Sequence, residues 1–108
     1  VKTIDRLESL KALAEYGSYT EAAKRLYCSQ PTITHHIQQL EEQYQATLLH
    51  RSGKRIQLTE QGEIVLNMAN QMFELLQESA MKVKQSLHRQ DGGRVEQTEY
   101  QVGDAAAE

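Results

Sequence analysis

Two helix-start signals stand close together in this chain, and they constrain its fold more than any other feature. Gly17 is followed by Ser18, and Ser18 three residues later by Glu21. A serine hydroxyl can accept the amide three positions on, and a glutamate there can reach back to the serine amide, so Ser18 opens a helix with a capping box. Ser29 is followed by Gln30 and Pro31. Ser29 reads as a second N-cap, and a proline in the first turn gives up only an N–H that has no helical partner. A short helix over about 19–27 is therefore followed at once by another that runs to about Tyr44. Gly17 closes an earlier helix over 4–15. Two helices joined by a turn of a few residues make a helix-turn-helix, whose second helix can enter the major groove of DNA.

The apolar spacing supports these bounds. Ile4, Leu7, Leu10, Leu13 and Ala14 share one face of the first helix; Ala22, Ala23 and Leu26 face inward from the second; Ile33, Ile37, Leu40 and Tyr44 form a narrow stripe on the third. Leu48-Leu49-His50-Arg51 and Arg55-Ile56-Gln57-Leu58 flank Ser52-Gly53-Lys54, which reads as a small hairpin. Thr59 can cap a last, long helix over about 60–90. Its residues Val65, Met68, Ala69, Met72, Phe73, Leu76, Ala80, Val83 and Leu87 keep helical spacing throughout. A small domain cannot cover so long a stripe, so these residues are expected to form a dimer face.

Charge is distributed unevenly. Residues 1–58 carry eight Lys/Arg against six Asp/Glu and residues 59–108 carry four against nine, so the net charge of −3 hides a basic front half. Contact with nucleic acid is expected there and only locally. The single cysteine, Cys28, excludes an internal disulfide and a cysteine-built zinc site, and it reads as small core filler. No apolar run approaches a membrane span. Charges at Lys2, Asp5, Arg6, Glu8, Lys11 and Glu15 interrupt the start as no signal peptide would allow, so a cytoplasmic protein is expected. His35 and His36 have no carboxylate or cysteine at a spacing that suggests a triad or a metal site, and no catalysis, metal or cofactor is expected in this stretch.

The third helix carries the functional reading. With Ile33, Ile37, Leu40 and Tyr44 turned inward, Pro31, His35, Gln38 and Glu42 lie opposite, Thr34 on one edge, Thr32 and Gln39 on the other, and Gln30 at the tip. An ordinary surface helix favours Lys and Glu, whereas this face stays uncharged up to Glu41. Its glutamines and threonines can pair with adenine and thymine edges. Gln30, Pro31, Thr32, Thr34, His35 and Gln38 are thus the candidate base-contacting residues. Ser18 and Thr20, at the start of the second helix, and Lys24 and Arg25 are candidates for phosphate contact. Arg51, Lys54 and Arg55, around Gly53, suit the negative potential of a minor groove. His36 lies nearer the buried edge and reads as packing.

The order Gly17-Ser18-Tyr19-Thr20, Ala22-Ala23, Leu26, Ser29-Gln30-Pro31, Thr34, Ile37, Leu40-Glu41, Leu48, Arg51, Leu58-Thr59 and Gly62 resembles the LysR-type transcriptional regulators over about residues 4–88. The resemblance implies a mainly α fold: a winged helix-turn-helix of three helices plus a small β-hairpin wing at 1–58, then a linker and dimerisation helix at 59–90. Residues 91–108 would be a hinge and the start of a truncated effector-binding domain, with Tyr100-Gln101-Val102-Gly103 resembling that domain's first strand. Base readout would fall on Gln30, Pro31, Thr34 and His35, and the wing contact on Lys54 or Arg55. The implied partners are double-stranded DNA, a second copy of the chain (a tetramer at full length is the other assembly considered), RNA polymerase, and a small-molecule effector for the C-terminal domain. The sequence departs from the family at Gln45, where glycine usually ends the recognition helix, at Leu49, where phenylalanine is usual, and at His35-His36. Two other readings stand beside this one: a winged-helix module that binds protein, and a regulator of another winged-helix family.

Overall fold

The computed structural model describes residues 2–89, so the hinge and first strand expected over 91–108 lie outside the described residues. Four helices and one hairpin follow in the order α1 (Lys2–Tyr16), α2 (Tyr19–Arg25), α3 (Gln30–Tyr44), β1 (Leu49–Ser52), β2 (Arg55–Leu58) and α4 (Glu60–Arg89). This is the mainly α, winged arrangement expected from the sequence. β1 begins one residue later than the apolar pattern suggested, and its antiparallel register pairs Leu49 with Leu58 and Arg51 with Ile56.

The described residues fall into two compact units, one reaching to Met72 and the other beginning at Phe73. In the first, α1 packs against α2, α3 and β2, and α2 against α3. Its core is aliphatic: Leu7, Leu10, Leu13, Ile33, Leu40 and Leu48 are fully buried, joined by Ala22, Ala23, Ile37, Leu49 and Ile56. The expected stripe on α3 holds except at its end. Tyr44 is 41% exposed, because the last turn of α3 overhangs the core.

Each junction has its own chemistry. Ser18 caps α2 by accepting the Glu21 amide at 3.2 Å. The return half of the expected capping box does not form, because the Glu21 carboxylate turns instead to Lys24 and Arg25 on its own helix. Ser29 accepts the Thr32 amide at the start of α3. At the end of α3, Gln45 takes the left-handed conformation, φ 53°, that usually falls to glycine. Its side-chain Nε2 donates to the Glu42 carbonyl at 2.7 Å, so glutamine itself caps a carbonyl left open by the helix end.

α2 stops at Arg25, two residues before the expected end, because Tyr27 adopts φ 56° in the turn. The Tyr27 side chain is 96% exposed and gains no packing for that strain. A left-handed L-residue costs roughly 1–2 kcal/mol, and glycine returns about half of the relief through the freedom it gains when unfolded. Tyr27→Gly is therefore expected to stabilise the domain by about 0.5–1 kcal/mol. A lower melting temperature for the variant would show that the tyrosine ring contributes contacts of its own.

Candidate nucleic-acid interface

The outward face of α3 is built by the depth of its inward face. With Ile33, Ile37 and Leu40 buried, Gln30, Pro31, Thr34, His35 and Gln38 are all exposed, and Thr32 is half-buried at the edge. The two neighbouring histidines part company. His36 turns inward, where its Nδ1 lies 2.7 Å from the hydroxyl of fully buried Ser9, while His35 stays on the outer face. The bond fastens α3 to α1. Sequence reasoning did not single out Ser9, since one serine in an apolar helix carries no signal until its partner is known.

The polar groups of the face are already ordered. The Thr32 hydroxyl lies 2.9 Å from Ser29 Oγ, and Gln30 Nε2 donates to Thr20 Oγ1 at 3.0 Å. The first acid after this face, Glu41, is half-buried and accepts the Leu48 amide at 2.9 Å, so its charge is turned to the loop behind α3. Tyr19 lies partly buried near both Glu41 and Arg51. Burial, and then the negative charge of Glu41, push its phenol above the ordinary value of 10.0, and Arg51 pulls it back.

The cations differ in how they are used. Arg51 and Lys54 are exposed on the wing. Arg55 is drawn into the structure instead. Gly17, at φ 68°, leaves room for its guanidinium, and a Cβ there would stand only 2.6 Å from Arg55 Cζ. The Ile56 amide donates to the Gly17 carbonyl at 3.0 Å, so the wing is fixed to the turn before α2. Of the two wing cations considered for the contact, Lys54 is the one left at the tip. Lys24 and Arg25 are exposed but pair with Glu21 at 3.9 and 3.7 Å, and Arg25 also sits over the Tyr16 ring at 4.7 Å. Ser18, expected as a phosphate anchor, has its oxygen engaged as the cap of α2.

α4 carries one straight apolar stripe whose exposure changes along its length. Val65 and Ala69, expected on the dimer face, are 5% and 0% exposed within their own chain; the first turns of α4 complete the core, and these two residues leave the dimer face. Met72 and Phe73 are half-buried, whereas Leu76, Ala80, Val83 and Leu87 are exposed or nearly so. Met68, at 36%, borders a second exposed line with Ile64 and Leu75. Sequence reasoning passed over Ile64 and Leu75 because they lie about 100° to one side of the main stripe.

The family model for the bacterial regulatory helix-turn-helix proteins of the lysR family matches residues 4–63. The chain belongs to the lysR family. Its curated relatives include a probable RuBisCO transcriptional regulator of Trichormus variabilis, 40% identical over 90 residues, which are 83% of this chain and 27% of that protein. A protein of the same name from Synechocystis is 39% identical over 83% of this chain and 26% of its own length. This chain thus spans about a quarter of the length of these relatives. Among solved structures, the CbnR DNA-binding domain in complex with DNA superposes with a TM-score of 0.69 at 37% identity, over 77% of this chain and 95% of that one. CbnR itself, a LysR family transcriptional regulator, gives 0.68 at 38% identity, over 75% of this chain and 28% of that one. This lysR-family chain is the DNA-binding helix-turn-helix domain of a transcriptional regulator, not an enzyme. No helix among its described residues is long and apolar enough to cross a membrane.

Proposed function

We propose that the domain binds double-stranded DNA sequence-specifically as a homodimer, with α3 in the major groove and the wing tip at the minor groove. The observation that carries this reading is the outer face of α3. It presents Gln30, Pro31, Thr34, His35 and Gln38 to solvent with no fixed charge among them, beside a wing that exposes Arg51 and Lys54. Uncharged donors and acceptors can read base edges, and cations at the flank supply the sequence-independent attraction to phosphate. The likeness of this domain to the CbnR DNA-binding domain, solved in complex with DNA, supports the reading.

The dimer rests on the bare half of the α4 stripe, Leu76, Ala80, Val83 and Leu87, which a second copy would cover. By its family, the whole protein would work in the cytoplasm, hold a small-molecule effector in a C-terminal domain, assemble as a dimer or tetramer and act on RNA polymerase.

Mutation separates the two kinds of contact. On a duplex selected from a random-sequence pool, Gln30→Ala is expected to cost roughly 1–3 kcal/mol, with little loss on unselected DNA. Lys54→Ala is expected to weaken both and to lower the salt slope by about one unit. Equal losses on both duplexes for Gln30→Ala would remove it from base readout. Duplex affinity that does not fall with added salt would favour a protein-binding winged helix instead.

A further inference from the structure

The contact between Gln30 and Thr20 joins the tips of the two helices of the helix-turn-helix. Gln30 is the first residue of α3, Thr20 the second of α2, and both are exposed. Gln30 Nε2 donates to Thr20 Oγ1 at 3.0 Å across ten positions of sequence. No packing would otherwise hold a glutamine side chain at an exposed helix tip; it has three rotatable bonds and is free to swing. The hydroxyl of Thr20 takes up one of its two N–H groups and leaves the other N–H and the carbonyl oxygen. One donor and one acceptor side by side are what the N6 and N7 edge of adenine requires.

We infer that Thr20 is a positioning residue for base readout: it holds the Gln30 amide in the orientation in which one N–H and one C=O face the groove. The inference rests on the proposed role of Gln30 in base contact. It assigns Thr20 a part in sequence discrimination without contact between Thr20 and a base. Binding energy is gained because the glutamine loses less freedom on meeting DNA. That gain exists only where the base matches the fixed amide, so it enters the discrimination ratio. Thr34, His35 and Gln38, whose side chains have no such tether among the contacts described, share the face without sharing this constraint.

The test uses the chain and a duplex selected by it from a random-sequence pool, with every single-base variant of that duplex and an unselected duplex as probes. Gln30→Ala first identifies the base pair at which discrimination falls. Thr20→Val keeps the branched shape and removes the hydroxyl; Thr20→Ser keeps the hydroxyl. Thr20→Val is expected to lower discrimination at that one base pair by about 3- to 10-fold, a part of what a bidentate pair supplies, and to leave affinity for the unselected duplex unchanged. Thr20→Ser is expected to restore the ratio. In the Gln30→Ala background, Thr20→Val should change nothing further at that position. The positioning role is overturned if Thr20→Val weakens all duplexes alike, or if Thr20→Ser behaves as the valine does. Loss of discrimination with Gln30→Ala but none with Thr20→Val overturns the positioning and leaves base contact by Gln30 standing. No loss at any base pair with Gln30→Ala overturns both.

Discussion

Gly62→Ala is expected to be the most damaging small substitution in the domain, costing about 3 kcal/mol or more. Gly62 is buried in the first turn of α4. A Cβ there would fall inside the van der Waals shell of the Leu48 carbonyl oxygen and would stand 3.0 Å from Leu58 Cδ2. The Leu48 carbonyl is backbone and already accepts the Thr59 amide at 3.0 Å. Thr59 in turn donates its hydroxyl to the Thr47 carbonyl at 2.6 Å and accepts the Gly62 amide at 2.9 Å. The loop after α3, the N-cap of α4 and Gly62 thus form one closed set of bonds. A methyl group cannot enter without breaking one of them, so overpacking at roughly 1–3 kcal/mol and a lost hydrogen bond at roughly 1–3 kcal/mol add together. For a domain of this size the melting temperature should fall by more than about 10 °C. Exposed Gln61→Ala, one position away, should leave it nearly unchanged. A Gly62→Ala protein that melts within about 2 °C of the parent would show that the loop and α4 are not held this closely.

Leu76→Asp is expected to dissociate the proposed dimer and, with it, to weaken binding to the selected duplex by about 100-fold or more. The leucine is 51% exposed on the apolar line that continues through Val83 and Leu87, 59% and 63% exposed. Burial of one leucine is worth about 1.5–3 kcal/mol, and in a symmetric pair each copy loses its own. Two half-sites bound by one dimer gain from each other's proximity, and a monomer forfeits that gain. Gln85→Asp, on the opposite side of α4, is the matched control and should leave assembly intact. Sedimentation reads the first effect and duplex titration the second. A parent chain that is monomeric at high micromolar concentration, or a Leu76→Asp protein that still dimerises, would refute this assignment of the face.

Much of the site was legible because local rules and tertiary packing agree along α3. Ser29 and Pro31 mark its start, and Ile33, Ile37 and Leu40 bury one side so firmly that the other side follows by helical geometry. The same spacing rule misled where packing runs out. It could not tell that Tyr44 overhangs the core, or that α4 changes from buried at Val65 and Ala69 to bare at Leu76, because periodicity records a face and says nothing of what covers it. The composition of the wing pointed to a cluster of cations, yet only the fold distinguishes Arg55, spread over Gly17, from Lys54 at the tip.

The sequence by itself determined the order of elements, their bounds to within a residue or two, and the outward set on α3, since caps, turns and apolar spacing act over a few positions. The tertiary structure alone decided the bonds between residues distant in the chain: Ser9 with His36, Gln30 with Thr20, Ile56 with Gly17, and Thr59 with Thr47 and Leu48. The physical reason is range. A cap or a stripe is fixed by neighbours along one helix, whereas these polar pairs meet only after burial of the aliphatic core has set the distance and angle between helices.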